Sequence, residues 1–104
     1  MPTAKLIDTK LFYDKCGSGS PFLVMHGGLG VDHSYFRPVL DSLGHIFQFV
    51  YYDHRGHGRS DRSEINKITF EQLADDANSL RKTLGYEKIG IIGHSAGGFV
   101  ALYY

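Results

Sequence analysis

Continuous hydrophobic runs alternate with segments of helical spacing along this chain of 104 residues. The unbroken run at 22–25 is typical of a strand covered on both faces. Further strands are predicted where apolar and aromatic residues cluster, at 46–52 and 88–92. Two shorter runs near the N-terminus, at 4–7 and 10–15, predict an antiparallel strand pair joined by a tight turn at Asp8-Thr9.

Helical spacing of apolar residues appears in two segments between these strands. The segment 33–43 has a predicted apolar face and ends at Gly44; the face comprises Tyr35, Phe36, Val39, Leu40 and Leu43. The segment 70–84 follows a plausible N-cap, Thr69, with Gln72 completing a capping box, and it precedes Gly85. Its predicted buried stripe comprises Phe70, Leu73, Ala74, Ala77, Leu80 and Leu84.

A third helix is predicted from residue 98 to the last residue, Tyr104. The resulting order is a strand pair followed by three strand–helix units. Such alternation predicts an α/β fold, with a mostly parallel sheet and helices on both faces. No linker or repeat divides the chain, so residues 1–104 are interpreted as part of one domain.

The composition of the chain limits the kinds of molecule that it is expected to bind. The 11 basic and 11 acidic side chains cancel, which argues against nucleic acid and anionic membranes as partners. No apolar run approaches the roughly 20 residues of a membrane span, and residues 1–10 lack the apolar core of a signal peptide. Cys16 is the only cysteine, and no histidine pair shows metal-ligand spacing on one helix. A cytoplasmic protein without metal or cofactor is therefore expected.

The sequence Gly93-His94-Ser95-Ala96-Gly97 matches the pattern G-x-S-x-G directly after a predicted strand. A serine on a sharp strand-to-helix turn adopts a strained backbone that lifts its hydroxyl clear of the sheet. Side chains two positions before and after that serine would clash, so glycine is required at 93 and 97. The residue after the serine begins a helix, and its free N–H points to where an oxyanion would form.

Two more glycine-rich loops follow predicted strands, His26-Gly27-Gly28-Leu29-Gly30 and Asp53-His54-Arg55-Gly56-His57-Gly58-Arg59-Ser60. The three loops, in this order and spacing, resemble the N-terminal half of an α/β-hydrolase fold enzyme. The resemblance covers the whole chain, from the opening strand pair to the helix after Ser95.

The resemblance implies a role for each loop. Ser95 would be the nucleophile, and the N–H groups of Ala96 and Gly28 would form the oxyanion hole, with Leu29 as the alternative if the loop is shifted. The remaining motif residues would be structural: His26, Gly27, Asp53, Arg55, Gly56, Gly58, Gly93 and Gly97. His57 and Arg59 are likewise interpreted as architectural.

The implied reaction is acyl-transfer hydrolysis of a small-molecule ester, lactone or amide. Members with similar loops include esterases, lactonases, carbon–carbon bond hydrolases and proline iminopeptidase-like aminopeptidases. Leu29 departs from the proline of the iminopeptidase loop. A serine at position 95 argues against haloalkane dehalogenases and epoxide hydrolases, which use aspartate there.

The family places its catalytic acid and histidine after the serine, which here would put them beyond Tyr104. The chain is therefore expected to be a truncated product or a fragment of a longer protein, with strand 88–92 as an exposed sheet edge. Pairing with the missing half, or a homodimer, would cover that edge. The alternative function is a non-catalytic fragment or pseudo-enzyme that folds with a partner.

Overall fold

The computed structural model describes residues 3–6, 8–27 and 33–104. Five strands are present in these ranges: β1 (Thr3–Lys5), β2 (Lys10–Gly17), β3 (Ser20–Met25), β4 (Phe47–Tyr52) and β5 (Gly90–Gly93). The α-helices are α1 (Arg37–Leu40), α2 (Phe70–Thr83) and α3 (Ala96–Tyr103). Short 3₁₀ segments span Ser34–Phe36, Asp41–Leu43 and Ile65–Lys67.

The five strands form one mixed sheet in the order β1-β2-β4-β3-β5. β1 and β2 are antiparallel, as predicted, and β2 also runs antiparallel to β4. β3 lies parallel to both β4 and β5, with Val24 level with Tyr51 on one side and Ile92 on the other. Because parallel strands end at the same edge of a sheet, the loops that follow β3, β4 and β5 meet there.

Helices cover both faces of the sheet, which confirms the predicted α/β class. One face packs against α2 and α3 through a core that includes Leu23, Met25, Val50, Leu80 and Val100. The other face presents Val24, Phe49 and Tyr51 to Phe36 and Leu40. No helix in the described ranges is long and apolar enough to cross a membrane.

Helix α2 forms close to where its sequence predicts. Thr69 Oγ1 accepts a hydrogen bond of 3.1 Å from Gln72 N, which caps the N-terminus. The Gln72 side chain does not complete the capping box, because its amide donates to Asp76 Oδ1 instead. Gly85 has φ of +85°, and its N–H bonds to Lys82 O while Tyr86 N–H bonds to Arg81 O. These two bonds form a Schellman motif that ends the helix.

The helix predicted over 33–43 is present as three consecutive helical segments over 34–43, not as one α-helix. The chain instead forms two 3₁₀ turns around the four-residue α1, since Pro38 in the first turn of α1 has no N–H to continue a hydrogen-bond ladder from residue 34. The predicted apolar face is buried only in part: Phe36 and Leu40 pack on the sheet, but Val39 is 69% exposed and Leu43 is 39% exposed.

Candidate active site

Ser95 occupies a sharp turn between the end of β5 and the start of α3. Its φ and ψ are +55° and −118°, and it is the only residue other than glycine with positive φ in the described part of the chain. Such a conformation costs on the order of 1–3 kcal/mol and must be held by its surroundings. Ser95 is exposed, and its hydroxyl makes no capping hydrogen bond to α3. The turn therefore leaves the Ser95 side chain accessible to solvent.

Close backbone contacts hold this turn. A Cβ at Gly93 would lie 2.6 Å from Gly97 O, so the two glycines meet as the motif predicts. A Cβ at Gly97 would collide with Met25 O and lie 2.7 Å from His26 O. The glycine at 97 is therefore required by the end of β3, a contact that the motif alone does not reveal.

Gly27 also lies against the Ser95 turn. A Cβ at Gly27 would be 2.6 Å from His94 O and 2.9 Å from Ser95 Cβ. Gly27 thus lies directly against the serine turn. Ala96 begins α3, and its N–H belongs to the first helical turn. Gly28 and the alternative donor Leu29 lie outside the described residues.

Asp53 begins the loop after β4, which spans residues 53–60 and is called the β4 loop below. Its buried carboxylate accepts three hydrogen bonds: His33 Nδ1 at 2.6 Å and His33 N at 3.0 Å on Oδ1, and Arg59 N at 3.0 Å on Oδ2. Burial by itself raises the pKa of Asp53, but the hydrogen bonds from His33 and Arg59 outweigh it and lower that pKa. Asp53 is therefore a carboxylate held ionised inside the protein.

Arg55 carries a second buried charge in the β4 loop. Its guanidinium makes two 2.8 Å hydrogen bonds to the buried Asp76 of α2 and two more, at 2.8 and 3.2 Å, to Asp8. The bonds to Asp76, together with those to Asp8, raise the pKa of Arg55 against the opposing effect of burial. Arg55 is only 1% exposed. From this buried position it links the β4 loop to α2 and to the turn that contains Asp8. Gly56 and Gly58 adopt positive φ, which lets this loop turn tightly.

Three histidines form a buried cluster beside these charges. The ring centroids of His26 and His54 are 4.2 Å apart, and His57 lies 5.5 and 5.9 Å from them. His26 Nε2 accepts from His54 N, while His54 Nε2 donates to His26 O, both at 3.1 Å. Burial lowers the pKa of His26 and takes the pKa of His54 down to about 3. Both rings are therefore neutral near pH 7.

The remaining histidines lie in different surroundings. His33 is buried against Asp53, His94 is exposed with its ring edge-on to Phe36 at 5.9 Å, and His45 is exposed. Within the described ranges, no group of three His, Cys, Asp or Glu side chains is placed to hold a metal ion.

Residues 20–104 match the alpha/beta hydrolase fold family. The chain belongs to this family. It is 32% identical over 102 residues to "Putative carbamate hydrolase RutD" of Azorhizobium caulinodans, covering 98% of this chain and 38% of that protein. It is 36% identical over 84 residues to 3-oxoadipate enol-lactonase 1 of Acinetobacter baylyi, covering 81% of this chain and 31% of that protein. The chain thus spans well under half the length of these relatives.

Solved structures agree with this assignment. The proline iminopeptidase-related protein TTHA1809 of Thermus thermophilus superposes with a TM-score of 0.90 at 30% identity, over 97% of this chain and 38% of that one. The epoxide hydrolase CorEH superposes with a TM-score of 0.89 at 32% identity, over 98% of this chain and 35% of that one. The predicted N-terminal portion of an α/β-hydrolase fold is confirmed. Members of different activity share this portion closely, so its backbone alone does not separate them.

Sequence reasoning identified the motif residues but not the groups that hold them. Asp76 carried a usable signal, because it lies three residues from Leu73 and one from Ala77 within the stripe of α2 that faces the core. A carboxylate in that position needs a buried cation. Asp8 carried no comparable signal, since it lies in a turn and meets Arg55 only through a contact across 47 residues.

Proposed function

We propose that Ser95 is the nucleophile of an acyl-transfer hydrolase acting on a small-molecule ester, lactone or amide. The observation that supports this proposal most directly is the strained backbone of Ser95, an exposed residue whose hydroxyl makes no capping hydrogen bond to α3. Strain of this kind persists only where surrounding contacts maintain it, and it concentrates at functional sites. The contacts from Gly27, Gly93 and Gly97 supply that support.

In the proposed reaction, Ser95 Oγ attacks the carbonyl carbon of the substrate while a general base removes the hydroxyl proton. The carbonyl electron pair moves to oxygen, and the N–H groups of Ala96 and Gly28 donate to the resulting oxyanion. Collapse expels the protonated alcohol or amine and leaves an acyl-enzyme on Ser95. Water then attacks this ester, and the same steps return the free serine and a carboxylic acid.

The relatives support the acyl-transfer class without identifying the substrate. The names of two of them, a carbamate hydrolase and an enol-lactonase, both describe cleavage at a carbonyl bonded to nitrogen or oxygen. The epoxide hydrolase neighbour represents a different reaction. The serine at 95 favours acyl transfer, since family members that open epoxides use aspartate at this position.

We further propose that the competent site includes polypeptide outside these residues, either the remaining half of the fold or a second copy of the chain. Among the described residues, β5 pairs with β3 alone and lies at the edge of the sheet. Beside it, α3 exposes Phe99, Leu102 and Tyr103 by 56, 83 and 55%. An open edge next to uncovered apolar side chains calls for a covering segment. The base that activates Ser95 would come from that segment.

A fluorophosphonate probe tests the proposed nucleophile. We expect the folded chain, in which a second copy can supply the base, to be labelled stoichiometrically at Ser95, as shown by intact mass and peptide mapping. Ser95→Ala should abolish labelling, whereas Ser42→Ala, which alters an exposed serine whose hydroxyl donates to Val39 O, should not change it. A labelling rate that rises with protein concentration would indicate a base from a second copy. Folded wild-type chain that remains unlabelled would overturn the enzyme proposal for these residues.

A further inference from the structure

The end of β3 and the Ser95 turn contact each other directly through backbone atoms. His94 N–H donates to Met25 O at 3.2 Å, so the residue before the serine is bonded to the last residue of β3. Met25 O and His26 O are also the atoms that a Cβ at Gly97 would meet. Because such close packing leaves no slack, a shift of these two carbonyl groups is transmitted to the turn.

His54, the second residue of the β4 loop, holds this end of β3 in place. Its ring Nε2–H donates to His26 O, and its backbone N–H donates to His26 Nε2, both at 3.1 Å. Since Nε2 of His26 is an acceptor, the ring proton of His26 lies on Nδ1, which donates to Gly27 O at 3.0 Å. One residue of the β4 loop therefore fixes both the main-chain carbonyl and the ring of His26.

The other nitrogen of the His54 ring contributes no such contact. His54 is only 3% exposed, and among the described residues its Nδ1 has no hydrogen-bond partner. A buried acceptor left unpaired is unfavourable, and an apolar side chain would fill the same space without that cost. The hydrogen bond from Nε2 to His26 O is the interaction that an apolar side chain could not make.

We infer that His54 is a positioning residue for Ser95: its hydrogen bonds to His26 hold the end of β3 against the backbone of the Ser95 turn. This inference rests on the proposed function of Ser95. His54 is not placed on substrate; it acts through His26 O on the backbone at Gly97. Misplacing a catalytic group by about 1 Å can cost on the order of 100-fold in rate, so a small shift of this contact is enough to matter.

Labelling kinetics of the full chain test this role, because they separate reversible binding of the fluorophosphonate (KI) from phosphonylation of Ser95 (kinact). His54→Leu removes the Nε2–H donor and is expected to lower kinact by about 10- to 100-fold with little change in KI. His54→Gln keeps an N–H donor near the Nε2 position and should retain kinact within about threefold of wild type. His54→Asn carries its donor near the Nδ1 position, away from His26 O, and should be as slow as His54→Leu.

His57→Leu is the matched control, because His57 is a histidine of the same cluster and is also 3% exposed. Its Nδ1 donates to Arg55 O at 2.9 Å, within the β4 loop, rather than to the end of β3. Equal losses of kinact in His54→Leu and His57→Leu would overturn the inference. If His54→Leu does not fold, His54→Gln and His54→Asn decide the question, since both keep an amide there, and equal kinact values for these two would also overturn it.

Hydrogen exchange of the His94 amide gives a readout independent of labelling, since this N–H bonds to Met25 O. Exchange should be about 10-fold or more faster in His54→Leu than in His57→Leu, and in His54→Asn than in His54→Gln. Equal rates within each pair would reject the positioning role. If wild type is never labelled, the nucleophile proposal fails, while the exchange result still decides whether His54 holds the end of β3 against the turn.

Discussion

The β4 loop and the Ser95 turn lie at the same edge of the sheet but are held by different physical means. The β4 loop buries two opposite charges, Asp53 and Arg55, and pairs each of them with groups from other segments. The Ser95 turn contains no charge, leaves Gly93, His94 and Ser95 exposed, and is fixed by backbone contacts too close for any Cβ. One loop is stabilised by electrostatic pairing and the other by steric fit.

The largest effect is expected from breaking the charge pairing of the β4 loop. Arg55→Met leaves Asp76 as a buried carboxylate without its cation, and we expect a loss of about 3–5 kcal/mol in the free energy of unfolding. Urea denaturation measures this change. The comparison variant is Arg37→Met, because Arg37 also bridges two carboxylates, Asp14 and Asp41, but is half-exposed. Its loss should be about 1 kcal/mol or less. Similar losses in the free energy of unfolding for the two variants would contradict the prediction that a buried arginine contributes more than a partly exposed one.

A smaller but clear effect is expected from the steric fit of the Ser95 turn. Gly97→Ala forces a methyl group against Met25 O and His26 O, and we expect a loss of about 2–3 kcal/mol. Gly98→Ala is the matched control one residue along α3, where an added Cβ meets nothing within 4 Å. That change should raise stability by about 0.5–1 kcal/mol through reduced backbone entropy of the unfolded chain. Thermal unfolding of both variants checks the prediction, and a destabilised Gly98→Ala would contradict it.

The smallest effect concerns the histidine cluster that joins the two regions. The pKa of His54 is about 3 in the folded chain, below the unfolded value near 6.5, so the unfolded state binds more protons as the pH falls. The contribution of His54 to the free energy of unfolding is complete above pH 6.5 and is lost as the pH falls toward 3. Between pH 7.5 and 5.0 the loss should reach up to about 2 kcal/mol from His54.

Urea unfolding at those two pH values measures the loss. The buried His26 contributes in the same direction, because its pKa is also lowered. His54→Gln should therefore reduce the pH dependence without abolishing it, whereas His45→Gln, at an exposed position, should leave it intact. An unchanged pH dependence in His54→Gln would show that the cluster admits protons without unfolding.

The outcome for two of the three predicted helices shows which signals can be read locally. Helix α2 combines an N-cap at Thr69, an apolar stripe and a positive-φ glycine at 85, and all three signals act within one turn of their own positions. The segment 33–43 has the same apolar spacing, but Pro38 interrupts its hydrogen bonds, and of its described apolar side chains Phe36 and Leu40 pack against the sheet. Periodicity predicts a face; it does not show that the fold will cover it.

The buried polar network was the least predictable part of the site. Motif spacing predicted Asp53 and Arg55, yet their partners Asp8, Asp76 and His33 lie 20 or more residues away from the groups they bind. Such pairings depend on how β1, β2 and α2 dock beside the β4 loop. Nothing in the local sequence encodes that docking.

The sequence by itself determined the succession of strands and helices along the chain, the glycines at the Ser95 turn and the family. Each of these depends on residue type within a short window. Only the tertiary structure decided which backbone atoms a side chain at these glycine positions would meet, which charges are paired and which edge of the sheet remains open. Gly97 is required by the end of β3, a strand more than 70 residues earlier in the chain. The open edge at β5 follows from sheet order, which is set by long-range pairing and not by the composition of the strand.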